Sequence, residues 1–234
     1  MDKIIVLNHK SSLLYDEVYK YIEKTNKLNT KNNIIICPSY IYLESFINNS
    51  FWPIGAQDLD YNLDSDHTSY ISIDQLKSLG VEYSIIGHSE TKFNSDDIIN
   101  LKLKRALDSN IIPILCVGEE KNSNFEEEMK KKLDNYLKDI NYIEFIIFAY
   151  EPIYMIGKNK KLDIEKLTKK IKLLEDELLS RYNVKPRIIY GGSVDDTNIE
   201  DILKIGNING VIIGSKSSDY ESLENIIKKI DLKK

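Results

Sequence analysis

Three polar side chains of this chain stand where an apolar run ends. They are Lys10 in Asn8-His9-Lys10, His88 in Gly87-His88-Ser89-Glu90, and Glu151 in Ala149-Tyr150-Glu151-Pro152. A carboxylate closing the run Phe145-Ile146-Ile147-Phe148-Ala149 is costly to desolvate, and a partly desolvated carboxylate is a competent general base. An imidazole can donate or accept a proton near neutral pH. A fixed ammonium group stabilises an oxyanion as it develops. Two further segments, Tyr190-Gly191-Gly192-Ser193 and Ile213-Gly214-Ser215, offer backbone N–H groups in glycine-containing turns, which suit an anion such as phosphate.

These residues can cooperate only if the fold brings strand ends together. Apolar runs occupy 4–7, 34–37, 53–57, 83–87, 111–117, 145–150, 187–190 and 210–214. Several are continuously apolar rather than alternating, as expected for parallel strands buried on both faces. Helical patterns separate them; Leu167, Ile171, Leu174 and Leu178 mark one, whereas those after the second and third runs look short. Eight such units of about 29 residues predict an α/β fold, a single (β/α)8 barrel forming one domain over residues 1–234. An open doubly wound sheet is the competing topology. A barrel of this kind carries its site on the loops that follow the strands. Seven of the ten glycines (Gly55, Gly87, Gly118, Gly157, Gly191, Gly192 and Gly214) fall at those strand ends.

Composition narrows the function classes. The net charge is −5, and only three of the 32 cationic side chains are arginine (Arg105, Arg181 and Arg187), which argues against a nucleic-acid partner. The run Glu126-Glu127-Glu128-Met129-Lys130-Lys131-Lys132 reads as a solvated helix face with Glu-to-Lys pairs at i,i+4. No apolar run approaches the ~20 residues that span a bilayer, and the apolar stretch at the start is short for a signal peptide. A cytoplasmic location without a membrane partner is therefore expected. Cys37 and Cys116 are too few for a disulfide framework and read as core residues.

Taken in order, Asn8-x-Lys10, Gly55-Ala56-Gln57, Gly87-His88-Ser89-Glu90, Cys116-Val117-Gly118-Glu119, Ala149-Tyr150-Glu151-Pro152 with Ile156-Gly157, and Tyr190-Gly191-Gly192-Ser193-Val194 resemble the triosephosphate isomerase family. The resemblance runs from the first strand through the last helix. It implies aldose–ketose isomerisation of a small phosphorylated sugar, in glycolysis and gluconeogenesis, with no cofactor and no metal. In that reading Glu151 is the base, His88 a neutral electrophile and Lys10 the fixed charge; Asn8 positions substrate and Glu90 supports Lys10. The phosphate rests on N–H groups of Gly157, Ser193, Gly214 and Ser215. Residues 152–161 form a lid tipped by Ile156-Gly157, and Ile156 with Ile212 shields Glu151 from water. The resemblance also implies a homodimer in which loop 59–69 inserts Thr68 into its partner.

The chain departs from the family at several points. His9 stands where the family usually has Trp, Ser215 replaces a glycine, and Lys158-Asn159-Lys160-Lys161 replaces the Thr-Gly that usually ends the lid before a lysine. Tyr70 and Thr91 occupy positions where an acidic and a basic residue usually pair across the dimer, so an altered interface is expected. These departures leave open an isomerase of a four-carbon tetrulose phosphate, or a catalytically silent relative that binds a phosphorylated metabolite.

Overall fold

In the computed structural model, eight parallel strands wind into one barrel. The structure describes residues 2–62, 67–91, 95–155 and 162–232. The strands are β1 (Ile4–Asn8), β2 (Asn33–Cys37), β3 (Gly55–Ala56), β4 (Tyr83–Ile86), β5 (Ile112–Val117), β6 (Ile147–Tyr150), β7 (Arg187–Tyr190) and β8 (Gly210–Ile213). Their order around the sheet is β2-β1-β8-β7-β6-β5-β4-β3. The remaining seam between β2 and β3 is joined by a parallel bridge between Ile36 and Ile54 and by the Ile36 N–H donating to the Pro53 carbonyl at 3.0 Å. The arrangement is thus a (β/α)8 barrel and not an open doubly wound sheet. β3 is shorter than the apolar run 53–57; Ile54 joins β2 only by an isolated bridge. β6 starts later than its run because Ile143–Phe145 coil into a 3-10 turn.

Each strand is followed by a helix: α1 (Tyr15–Asn26), α2 (Leu43–Asn49), α3 (Ile73–Leu79), α4 (Asp96–Asp108), α5 (Phe125–Tyr136), α6 (Ile164–Tyr182), α7 (Ile199–Ile202) and α8 (Tyr220–Asp231). The side chains of Ser72, Ser95, Asn124, Asp163 and Asp219 cap α3, α4, α5, α6 and α8 by accepting a first-turn N–H. α2 and α3 are short, as the sequence pattern indicates. α7 is shorter still, and its sequence explains why. Ile199, Ile202, Ile205 and Ile208 are all buried and recur every three residues, a period that a 3.6-residue helix cannot keep on one face. Accordingly Ile205 and Ile208 donate to carbonyls three residues back. No helix among the described residues is long and apolar enough to cross a membrane.

The continuously apolar strands serve two cores at once. Val6, Ile35, Cys37, Ile85, Ile114, Cys116, Ile147, Ala149, Ile189 and Ile212 fill the barrel interior. The alternate residues, among them Ile5, Leu7, Ile36, Leu115, Phe148, Ile188 and Ile213, pack outward against the helices. Side chains alternate across a strand. The inward set therefore decides which residues surface at the top of the barrel.

Candidate active site

Continuing the inward register past the last core layer leads directly to the chemistry. On β6, Ile147 and Ala149 are followed by Glu151; on β1, Val6 by Asn8; on β7, Ile189 by Gly191; on β8, Ile212 by Gly214. His88 reaches the same mouth by another route. Gly87, the next inward position on β4, takes a left-handed backbone (φ +77°), which turns the chain so that the following imidazole comes in.

Glu151 and His88 face each other, both buried, with Oε2 of the carboxylate 3.6 Å from Nε2 of the ring. Nδ1 of His88 accepts the backbone N–H of Glu90 at 3.2 Å, so that nitrogen carries no proton. The imidazole is consequently neutral with its proton on Nε2, the nitrogen aimed at the mouth. Oε2 of Glu151 is buried and has no hydrogen-bond partner among the described residues. The neighbouring Cys116 thiol is held well above its ordinary range, first by burial and then by the Glu151 carboxylate. Room for that carboxylate comes from Gly191: a Cβ there would stand 2.3 Å from Glu151 Oε1 and 2.6 Å from Ile212 Cγ2.

Lys10 sits opposite, in a left-handed backbone (φ 53°) that few non-glycine residues adopt. Its neighbours hold it there. Asn8 Oδ1 accepts the Lys10 N–H at 3.2 Å, and Gln57 Nε2 donates to the Lys10 carbonyl at 2.7 Å. The ammonium meets Glu90 Oε1 at 2.6 Å. It also lies over Gly214, where a Cβ would be 3.5 Å from Lys10 Cε and 4.0 Å from Nζ. Gln57 was legible only as part of a motif; the strained carbonyl it restrains is not visible in sequence.

Asn8, Lys10, His88, Glu151, Ser193, Gly214 and Ser215 all line one small cavity of about 130 Å³, so the structure brings these expected site residues together. Ser193 is also left-handed (φ 64°), and its hydroxyl donates to the Met155 carbonyl at 2.9 Å. Among the described residues no hydrogen bond engages the backbone N–H of Ser193 or of Ser215. Two N–H groups and a lysine ammonium around one cavity are groups able to hold an anion. Gly157 and Ile156, the expected lid tip, lie outside the described residues, as do 158–161; Ile212 lines the cavity. Lys216 and Asp195 line it too and were not anticipated. Among the described residues no group of three or more His, Cys, Asp or Glu is arranged to hold a metal ion.

A larger cavity of about 480 Å³ adjoins the first and shares Asn8, Lys10 and His88 with it. Its other walls include Tyr70, Glu90 and Thr91. Leu14 and Ile41 are 63% and 78% exposed, and Tyr70 is 51% exposed.

Comparison with known proteins agrees with the motifs. The family model described as Triosephosphate isomerase matches residues 3–230. A protein named "Triosephosphate isomerase" from Wolbachia pipientis wMel is 35% identical over 240 residues, covering 100% of this chain and 96% of that protein. One of the same name from Wolbachia sp. subsp. Brugia malayi (strain TRS) is 34% identical over 99% of both chains. Another from Thermodesulfovibrio yellowstonii is 33% identical, over 97% of this chain and 98% of its own.

Proposed function

This chain belongs to the triosephosphate isomerase family, and from that premise we propose that it interconverts dihydroxyacetone phosphate and D-glyceraldehyde 3-phosphate through an enediolate. The observation that carries the mechanism is the facing pair: a buried carboxylate oxygen, Oε2 of Glu151, unpartnered among the described residues and 3.6 Å from an imidazole whose other nitrogen is already an acceptor. Glu151 removes the proton from the carbon beside the carbonyl and returns it to the neighbouring carbon. The Nε2–H of His88 polarises the carbonyl and passes protons between the two enediolate oxygens; a neutral ring suits this because its N–H is a far weaker acid than an imidazolium's and so lies closer to the enediol, letting the proton pass in either direction. Lys10 supplies positive charge toward the developing oxyanion, in a mouth where its charge needs no reorganisation.

Asn8 positions both substrate and Lys10, and Glu90 holds the ammonium in place. The substrate phosphate rests on N–H groups of Ser193, Gly214 and Ser215; the contact at Gly157 stands on the family likeness alone. No cofactor or metal takes part. With an overall charge of −5, the chain draws its anionic substrate by these local groups and not by its net field.

The active form is a homodimer. Supporting this are the 480 Å³ cavity beside the site, the exposed apolar Leu14 and Ile41, and the position of Thr68 on the loop that the family inserts into its partner. Tyr70 and Thr91 replace the usual ion pair with a neutral contact, so the interface is rebuilt. A cytoplasmic place in glycolysis and gluconeogenesis follows from the same reading.

A coupled assay with both triose phosphates tests the activity, run beside a four-carbon ketose phosphate. Turnover faster with the longer sugar, or none with either, overturns the proposal. Light scattering on the eluting protein tests the dimer; a monomer of full activity removes it.

A further inference from the structure

His9 sits between two site residues, Asn8 and Lys10, yet its own side chain points away from the cavity and is buried in a separate contact. Its ring packs edge-on against Tyr21 of α1, with centroids 4.8 Å apart, and against Phe46 of α2 at 5.5 Å. Nε2 of His9 lies 3.1 Å from the Tyr21 hydroxyl. That hydroxyl in turn donates to the backbone carbonyl of Ser217, which is fully buried. Ser217 ends the 3-10 turn Ser215–Ser217, whose start lines the anion cavity, and its own N–H closes that turn on the Gly214 carbonyl at 2.8 Å.

A phenol has one proton. Tyr21 spends it on Ser217, so toward His9 it can only accept. His9 must therefore be the tautomer with its proton on Nε2. Nδ1 is then a bare acceptor, and it has no partner among the described residues. Burial holds His9 down at about 3, so the ring stays neutral. Burial, and then the charges of Tyr220 and Asp219, push the Tyr21 hydroxyl far up, so it remains a donor.

We infer that His9 and Tyr21 are positioning residues for phosphate: a buried His9 Nε2–H to Tyr21 hydroxyl to Ser217 carbonyl relay fixes the turn that carries the Gly214–Ser215 part of the cradle. The relay ties together three elements: the end of β1, α1, and the loop after β8. It assigns a purpose to the residue that stands where the family has Trp. The inference rests on the proposed phosphate role of that loop.

Three measurements test it. First, Tyr21→Phe keeps the ring and deletes the relay. The Ki of inorganic phosphate and the KM of glyceraldehyde 3-phosphate should rise together by about three- to tenfold, as expected for one lost buried hydrogen bond, while kcat changes less. Second, His9→Gln retains an N–H donor and should bind phosphate more tightly than His9→Phe, which has none. Circular dichroism and thermal melts establish that each variant is folded; where one does not fold, the remaining variants and the tautomer measurement decide. Third, the chain has only three histidines, so the ring 15N shifts of His9 can be identified by their loss in His9→Gln. They should report a neutral ring protonated on Nε2 at pH 7.

Unchanged phosphate Ki and KM in a folded Tyr21→Phe protein overturn the inference, even if its melting temperature falls. So does a His9 ring protonated on Nδ1. Absence of triose phosphate turnover in the unmodified protein would instead refute the proposed function, and leaves the tautomer result readable by itself.

Discussion

Two glutamates close neighbouring strands of this barrel and meet opposite fates. Glu119 follows β5 and Glu151 follows β6, and they are 2% and 7% exposed. Glu119 is fully engaged. Its carboxylate accepts the Tyr150 hydroxyl at 3.2 and 3.0 Å and pairs with the Lys170 ammonium from α6. Lys170 is itself held by the Tyr154 hydroxyl at 3.3 Å and lies 5.2 Å from the Phe125 ring centre. Glu151 has no cation and no tyrosine on it; its Oε2 has no hydrogen-bond partner among the described residues, and His88 Nε2 at 3.6 Å is too far for one. The two sites share β6, since Tyr150 points outward to Glu119 while Glu151 points inward to the mouth. Alternation along one strand thus separates a fully engaged carboxylate from the one proposed as the base. A buried carboxylate that is satisfied rigidifies what surrounds it, whereas one left unsatisfied retains its capacity to take a proton.

The contrast is most exposed by Glu151→Gln. Removing the base should lower kcat by about 10³-fold. The Ki of inorganic phosphate should stay within about twofold, because the amide is nearly the same shape. Stability should hold or rise, since a buried neutral amide costs less than an unpaired carboxylate. Steady-state kinetics and thermal melts on one preparation check all three, and near-normal kcat would refute the assignment of the base. Lys170→Met probes the other glutamate. It leaves Glu119 buried at 2% exposure without its cation, which should destabilise the fold by about 3 kcal/mol in urea unfolding. Turnover of the folded fraction should fall only a few-fold. A loss of kcat matching that of Glu151→Gln would erase the distinction between the two sites.

Gly191→Ala acts on the proposed base while leaving both glutamates in the sequence. The added methyl would lie 2.3 Å from Glu151 Oε1, so the carboxylate must shift by roughly an ångström, enough to cost about 10²-fold in kcat. Ordinary kcat in this variant would mean that the carboxylate position observed beside Gly191 is not the one that reacts.

How far the sequence announced this contrast follows from what each residue depends on. The barrel was legible because parallel strands buried on both faces leave continuous apolar runs, and Glu151, His88 and Lys10 stood out as polar residues ending them. The inward direction of Glu151 could be counted from Ile147 and Ala149. The clearance beside Gly191 could not, because it is set by β7 and β6 lying next to each other. Glu119 stood in a recognised motif, but its engagement depends on Lys170, 51 residues away on α6. Lys170 in sequence is one lysine among many on an amphipathic helix. The shortness of α7 was written in the three-residue spacing of Ile199, Ile202, Ile205 and Ile208. A reading set to the periods of helices and strands passes over that spacing.

Glu119→Gln gives the smallest effect and the sharpest test of why the two carboxylates differ. The amide oxygen can still accept from Tyr150, whose hydroxyl is pushed far above its usual range first by burial, a cause the substitution leaves in place, so the phenol remains a donor. What is lost is the charge opposite Lys170. The lysine side chain retains 13% exposure, so its ammonium can reach water by rotating outward. The stranded carboxylate of Lys170→Met has no such escape. Glu119→Gln should therefore cost less, about 1–2 kcal/mol, than Lys170→Met, and the double variant should cost less than the two together because each single change leaves a charge unpaired. Additive losses in the cycle would mean that the pair contributes nothing beyond its separate packing. In that case Glu119 would be as uncompensated as Glu151, and the difference in reactivity between the two would rest on the mouth of the barrel alone.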